Sequence, residues 1–236
     1  MHKTDRQKGP ETQNTGNSFI LRKIQWTLFS ILLLSVSFFQ TSPVYAAEEN
    51  PMRFSGGRTS VSMQEGREVV SLAEGAELSV GDMRLSAASI EISGSDYRYV
   101  RCSGNVTVID SGRGINLSAS ELFFDRTEEL IVVDGWVEIQ DVQNEVIASG
   151  AWLEFDLDGG VMRMQMRVKL LKHTDKDAMV CIADNIVYDR DGETLALNGG
   201  SKIIWDGDSY EAATITVDLR TNDIVMEGAV KGLVHG

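Results

Sequence analysis

Apolar and polar residues alternate with a period of two in many short runs between residue 53 and the end of the chain. Examples are "NVTVID" (105–110), "ELFFD" (121–125), "WVEIQD" (136–141) and "NIVYD" (185–189). Alternation in runs rich in Val, Ile and aromatic residues predicts β-strands with one buried face. Phrases such as "DLDGG" (156–160) separate the runs and are typical of turns. The pattern predicts about fourteen to sixteen short antiparallel strands and no helix in this region.

The alternating runs belong to an internal repeat of about 30 residues. Asp125, Asp156, Asp189 and Asp218 are spaced 31, 33 and 29 residues apart, and Ser93 takes the same place one unit earlier. In every unit an apolar residue stands one and three positions before this anchor, and Ala or Gly stands six positions before it. A second strand follows, opened by phrases such as "GNVTV" and "GWVEI". Each unit is therefore predicted to contain two strands.

Such repeats must stack to become stable. A single amphipathic hairpin is marginal in water, whereas neighbouring hairpins bury one continuous apolar face. Small residues six positions before the anchor suit close packing where the sheet bends. The predicted fold class is all-β, an elongated and folded-over antiparallel sheet of jelly-roll type.

The N-terminal region has the features of an export signal. Five basic residues precede or border the uncharged run "IQWTLFSILLLSVSFF" (24–39), which is short for a membrane span. Val44 and Ala46 provide the small residues of a cleavage site, so we expect a signal peptide over 1–46 and a mature domain over 47–236, beginning at Ala47. An uncleaved membrane anchor is the alternative. Export predicts a periplasmic location.

Charge narrows the range of partners. The whole chain has a net charge of −13. Cleavage would leave 17 basic and 33 acidic residues, a net charge of −16. Nucleic acid requires a basic face and is excluded as a partner. The same excess of acid argues against passive adhesion to anionic lipid headgroups.

Few residues suggest chemistry. Cys102 and Cys181 lie in apolar runs, where buried free thiols are the simpler interpretation, although export permits a disulfide. Scattered histidines give no zinc motif, and the Asp pairs in turns lack a complete calcium loop. Trp136, Trp152 and Trp205 are interpreted as packing or rim residues rather than a platform for sugars. We predict no catalytic residues, no metal and no cofactor.

Two long stretches carry a resemblance to a known family. They are "RFSGGRTSVSMQEGREVVSLAEGAELSVGDMRLSAASIEI" (53–92) and "CSGNVTVIDSGRGINLSASELFFDRTEELIVVDGWVEIQD" (102–141). Their rhythm of a "GNV" phrase, a small residue, an alternating strand and an Asp resembles the OstA-like (LptA-like) family of periplasmic lipopolysaccharide-transport proteins. The resemblance implies a V-shaped β-jelly roll that is not an enzyme. It implies an apolar interior that shields the acyl chains of lipopolysaccharide, or a similar envelope glycolipid, during transport to the outer membrane.

The candidate lipid-binding residues share one phase of the strand alternation. They are Ile90, Ile92, Val106, Val108, Leu122, Phe124, Val137, Ile139, Leu153, Phe155, Ile186 and Tyr188. The residues alone leave open whether they line a groove or form a dry core. Two other functions stay open: a ligand-free structural repeat protein that assembles through its sheet edges, and a membrane-anchored relative in the same pathway. A carbohydrate enzyme or binding protein is less consistent with acidic residues placed mainly at turns.

The two ends of the sheet are candidate interfaces. "RFSGGRTSVSM" (53–63) opens the fold and "IVMEGAVKGLVHG" (224–236) closes it, and neither contains Pro or a covering helix. Unprotected edges recruit further strands. We expect inner- and outer-membrane transport components, or another copy in a head-to-tail homo-oligomer, to pair with these edges.

Overall fold

A computed structural model describes residues 51–64, 67–173 and 177–235. The description below concerns Asn50–Gly236, which forms one compact unit. The predicted signal peptide and its cleavage site lie outside the described residues. No helix within the described ranges is long and apolar enough to cross a membrane.

The prediction of an all-β antiparallel fold is confirmed. The described residues form one antiparallel sheet of 14 strands, in which successive strands pair except at the two ends, together with a short 3-10 helix at Ser95–Tyr97. The strands are β1 (Arg53–Ser55), β2 (Arg58–Gln64), β3 (Arg67–Val80), β4 (Met83–Ser93), β5 (Tyr99–Asp110), β6 (Ile115–Asp125), β7 (Leu130–Asp141), β8 (Val146–Asp156), β9 (Val161–His173), β10 (Ala178–Asp189), β11 (Thr194–Trp205), β12 (Asp208–Asp218), β13 (Asp223–Glu227) and β14 (Lys231–Leu233).

The anchor aspartates end strands and close turns, which explains their repetition. The backbone N–H of Gly159 donates to Asp156 Oδ1 at 2.8 Å, and that of Gly192 donates to Asp189 Oδ1 at 2.7 Å. Asp125 and Asp218 accept equivalent bonds from the backbone of their own turns. A short acceptor side chain at the end of a strand satisfies the N–H groups that the ladder leaves free.

A row of β-bulges crosses the middle of the sheet. The register shifts once in each central strand pair, for example between Ser103 and Val106 where β5 meets β6. There two residues of β5 oppose one of β6, and Gly104 and Asn105 have φ values of 80° and 50°. A bulge of this kind bends the strand and increases its twist.

The bulges keep both halves of every strand facing one interior. In β6 the buried apolar residues are Ile115 and Leu117 before the bulge, and Leu122 and Phe124 after it. The buried positions thus change from odd-numbered to even-numbered residues along β6. In a regular strand this change would place the second half on the opposite face, so the irregular pairing is what keeps both halves on one face. The small residues predicted at the bend lie beside the bulges, and a Cβ at Gly150 would stand 3.2 Å from the carbonyl oxygen of Gln165.

Both terminal strands are split at the same row. β1 and β2 pair with the two halves of β3, and β13 and β14 pair with the two halves of β12. Gly228 and Ala229, with φ values of 70° and 52°, separate β13 from β14. The sheet thus ends on each side with a strand broken where its neighbours bend.

The bulge of β9 generates a testable prediction, because Met166 and Arg167 occupy it with φ values of 64° and 59°. The equivalent positions of β11 are Gly199 and Gly200. Left-handed backbone is costly for residues with a Cβ. Arg167→Gly is therefore expected to raise the free energy of unfolding by about 0.5–1 kcal/mol in urea denaturation. The same change at Lys169, which is exposed and lacks a positive φ, should lower it; a loss at both positions would contradict this account.

Candidate functional site

The interior of the folded sheet contains every residue predicted to bind lipid. The exposed fractions of the twelve side chains do not exceed 4%. The most exposed are Phe124 and Leu122, at 4% and 3%, and Leu153 and Phe155 are at 0%. All twelve side chains lie on the apolar face shared by β4 to β10. Their role in lipid binding stays a prediction, and in this conformation they contact one another as the residues of a core do.

The two margins of the sheet meet across this interior. One row of turns joins odd to even strands and includes 111–114 and 142–145; the other joins even to odd strands and includes 126–129, 157–160 and 190–193. We call them the first and second turn rows, and their line of contact the seam. Contacts between residues as distant in sequence as Arg113 and Arg190 show that the sheet is folded over along the bulges.

A buried ion pair closes the centre of the seam. Arg190 Nε, from the second turn row, donates to Asp141 Oδ2, at the end of β7, over 2.6 Å. The two side chains are only 8% and 0% exposed. Arg190 also donates to the carbonyl oxygen of Arg113 at 2.9 Å, and the Tyr188 hydroxyl lies 3.4 Å from Asp141 Oδ2.

Arg113 forms a second bridge across the seam. Its guanidinium donates to Asp110 Oδ2 at 3.0 Å within the first turn row. It also donates to the Leu157 carbonyl oxygen at 3.2 Å and pairs with Glu129, both in the second row. The bridge is less buried, because the Arg113 side chain is 35% exposed. The seam is therefore polar, although the interior behind it is apolar.

The electrostatics of Asp141 follow from this arrangement. Burial removes water from the carboxylate and alone would raise its pKa. Hydrogen bonds from Arg190 and Asn144, with the positive charge of Arg190, outweigh burial, so the pKa of Asp141 lies below its usual value. Burial and the charge of Asp141 raise the pKa of Tyr188, so its hydroxyl stays neutral.

The interior is uncovered where the sheet ends. Phe54 on β1 and Val61 and Met63 on β2 pair with residues of β3. They are 42%, 45% and 74% exposed because no further strand within the described residues covers them. At the other end, Ile224 and Met226 of β13 pack against the core but are only partly buried.

The remaining candidate residues have structural surroundings. Cys102 and Cys181 are free and buried, and burial raises the pKa of each thiol to about 12. Trp136 is 53% exposed, whereas Trp205 packs against the core. A search of the described residues for three or more His, Cys, Asp or Glu side chains able to hold a metal found none.

A cleft of about 330 Å³ lies elsewhere, on β2 to β5. Side chains such as Ser60, Ser71, Glu91 and Arg101 line it, and these belong to the polar face of the sheet. Leu72 and Ile90 of the apolar interior also contribute to its lining.

Sequence reasoning missed the seam. Arg190 directly follows the anchor Asp189 in "DRDGE", and Arg126 follows Asp125 in "DRTEE". Both phrases indicate turns, and nothing in them marks the arginine as buried. The recurrence of a cation beside the anchor was the available signal, but it does not reveal a partner such as Asp141, which lies 49 residues away.

Removing one member of the buried pair should destabilise the fold strongly. Arg190→Leu leaves the Asp141 carboxylate buried without its cation, which costs about 3–5 kcal/mol in the free energy of unfolding. The double variant with Asp141→Leu should recover much of that loss, because no charge remains buried. Urea denaturation of both variants provides the measurement, and a double variant as unstable as Arg190→Leu would contradict the assignment.

The lowered pKa of Asp141 also fixes the direction of its pH dependence. The pair contributes its full stabilisation above the ordinary Asp pKa of about 4 and loses it as pH falls through the lower pKa of the folded state. Asp141→Asn should therefore reduce the dependence of unfolding free energy on acid pH. An acid dependence as steep in Asp141→Asn as in the wild-type protein would contradict this account.

Comparison with solved structures found chains of similar fold. No protein-family model matches the chain, and no curated protein matches it in sequence. Among solved structures, the chain is similar to LptH, the LptA homologous periplasmic component of the conserved lipopolysaccharide transport device from Pseudomonas aeruginosa. The match covers 80% of this chain and 97% of that chain, with 11% sequence identity and a TM-score of 0.27.

Proposed function

We propose that this protein is a periplasmic, non-enzymatic bridge that binds lipid and shields the acyl chains of lipopolysaccharide, or of a similar envelope glycolipid, on the way to the outer membrane. The observation that carries the proposal is an apolar interior that extends through the sheet and is uncovered at both ends. The proposal includes export by cleavage before Ala47 and rests also on the family resemblance of residues 53–92 and 102–141.

The interior has the dimensions and chemistry that acyl chains require. Twelve strands follow one another in the sheet. At a spacing of about 4.8 Å they extend over roughly 50 Å. Apolar side chains such as Leu72, Phe155 and Ile215 occupy this interior from one end to the other. Each methylene removed from water contributes about 0.8 kcal/mol, so a glycolipid with several chains is held without a specific polar contact.

Binding requires the interior residues to give way. Leu153 and Phe155 contact other core residues, so an acyl chain must replace those contacts. The seam and the ends of the sheet are the two places of entry. Opening the seam requires ion pairs such as Arg190–Asp141 to break. At one end of the sheet, by contrast, the apolar side chains of Val61 and Met63 are already exposed.

The ends also suit partners of the kind expected from the sequence. A strand added beside β2 would cover Val61 and Met63 and pair with the free backbone groups of the edge. The apolar interior would then continue from one protein into the next. We propose inner- and outer-membrane transport components as partners, with head-to-tail homo-oligomers as a further form.

Burial of the interior favours a second candidate function. All twelve predicted lipid-binding residues are as buried as core residues, and this supports a ligand-free repeat protein that assembles through its edges. The two functions differ in what occupies the interior after purification from the native envelope. Native mass spectrometry distinguishes them, because only the carrier retains bound lipid.

Photo-crosslinking tests the site directly. A photoreactive amino acid at Phe155, whose side chain lies in the interior, should capture lipid in cells. The matched position is Glu154, the adjacent residue on the outer face, which should capture none. Phe124 and Glu121 form a second pair on β6. Equal capture at both members of each pair would contradict an interior lipid site.

Edge pairing is tested by a charge placed on the apolar phase of β2. Met63→Lys is expected to abolish concentration-dependent association in analytical ultracentrifugation, because an inward-facing charge at an edge opposes strand addition. Ser62→Lys places the same charge on the opposite face of β2 and should preserve association. Deleting 224–236 is less informative, since it also uncovers Ile215 and Val217 of β12. A monomer at all concentrations that also binds no envelope partner would rule out the bridge.

A further inference from the structure

The outer face of the sheet carries an aliphatic row in its C-terminal half. Ile147 of β8 pairs with Leu171 of β9, Leu171 with Val180 of β10, and Val180 with Ile204 of β11. The inner neighbours of these residues, such as Leu170, are buried, so the row projects from the opposite face. Ile147 and Ile204 are 49% and 39% exposed.

A basic row runs beside the aliphatic row. Lys169 of β9 pairs with Ile182 of β10, and Ile182 pairs with Lys202 of β11. Glu211 and Lys231 extend the row to β12 and β14. Three lysines thus accompany one glutamate, although the chain has a net charge of −13. We call the two rows together the outer patch.

The N-terminal half of the same face is different. The aliphatic row continues through Gln140, Asn116, Ile109 and Arg84, of which only Ile109 is apolar. The outer patch is therefore a local feature and not a general property of this sheet. Exposed apolar side chains that lie together and are bordered by polar ones mark interaction sites, and the outer patch has this character.

We propose that the outer patch docks the protein on an anionic membrane surface. Lysines placed beside aliphatic side chains suit this partner, because the ammonium groups reach the headgroups while the aliphatic groups enter the interface. Lysine is depleted in protein–protein interfaces, which favour Tyr, Trp and Arg. A second copy seated face to face would bring lysines such as Lys169 and Lys202 against their equivalents.

This surface binding revises the expectation drawn from net charge. The total of −13 argues against adhesion to anionic lipids, but the charges that matter lie within a Debye length of the surface, about 10 Å. Lys202 pairs with Glu211 at 2.8 Å, and no acidic side chain among the described residues forms an ion pair with Lys169. The proposal is independent of lipid binding in the interior.

Vesicle binding by the full chain as isolated tests the proposal. The protein should bind vesicles of phosphatidylcholine with phosphatidylglycerol more tightly than vesicles of phosphatidylcholine alone, and added salt should weaken the difference. Lys169→Glu with Lys231→Glu should weaken binding about tenfold or more. Arg84→Glu with Ile109→Ser alters the other half of the face and is the matched control; Ile109 is 48% exposed, close to the 49% of Ile147.

Fluorescence quenching is the second measurement. It reports which face of the sheet lies on the membrane, even if the N-terminal region also binds the vesicle. Ile204→Cys and Ile109→Cys each receive a fluorophore, which the native thiols resist because both are buried with raised pKa values. Brominated phosphatidylglycerol should quench the label at position 204 and not at 109. Equal quenching, or binding that the lysine variants do not change, would overturn the proposal. The proposal would also be overturned if the wild-type protein bound no vesicles but formed a dimer that Ile182→Ser dissociates. The outer patch would then bind a second copy of the protein.

Discussion

The row of bulges is the constraint on which the rest of the structure depends. A strand of twelve residues with strict alternation presents one apolar face to one side of a flat sheet. The bulges bend every strand at the same level, and the phase change of β6 between Leu117 and Leu122 keeps its two halves apolar toward the same space. Left-handed residues such as Gly104 and Asn105 make this bend possible in β5. Without the common level of the bends, the two turn rows would not meet and the interior would face water.

Apolar burial and electrostatics have different roles in the fold: burial acts in the interior, and charge acts at the seam. A fully buried aliphatic or aromatic side chain contributes about 1.5–3 kcal/mol, so residues such as Leu153 and Phe155 supply the stability of the folded sheet. A buried ion pair adds little beyond its own desolvation cost, but it is specific in position. Arg190 and Asp141 thus determine which turns meet at the seam rather than how tightly the interior packs. The ion pairs that join the turn rows are thus separate from the apolar contacts that pack the interior. For this reason the polar seam can border an apolar interior.

The sequence was sufficient for the elements and their buried face, because a period of two has only two possible phases. All twelve candidate interior residues, from Ile90 to Tyr188, are buried, and the aspartates of the repeat end their strands as expected. The contact between the two turn rows could not be predicted from the sequence. Arg190 and Asp141 are remote in sequence, and each residue type is also common in exposed turns. The outer patch was missed for another reason. Leu170 and Leu171 form one apolar run, and a run without alternation does not state which member faces outward.

The splitting of the terminal strands limits what can extend the sheet. A new strand beside β13 and β14 must bend at the level of Gly228 and Ala229, or it pairs with only one of them. A straight added strand, as in amyloid, would leave half of this edge unpaired and would form correspondingly fewer backbone hydrogen bonds. A strand with a bulge of its own gains the full ladder. The bend that shapes the interior therefore also distinguishes ordered growth from aggregation, at an edge whose described residues 223–235 contain neither proline nor helix.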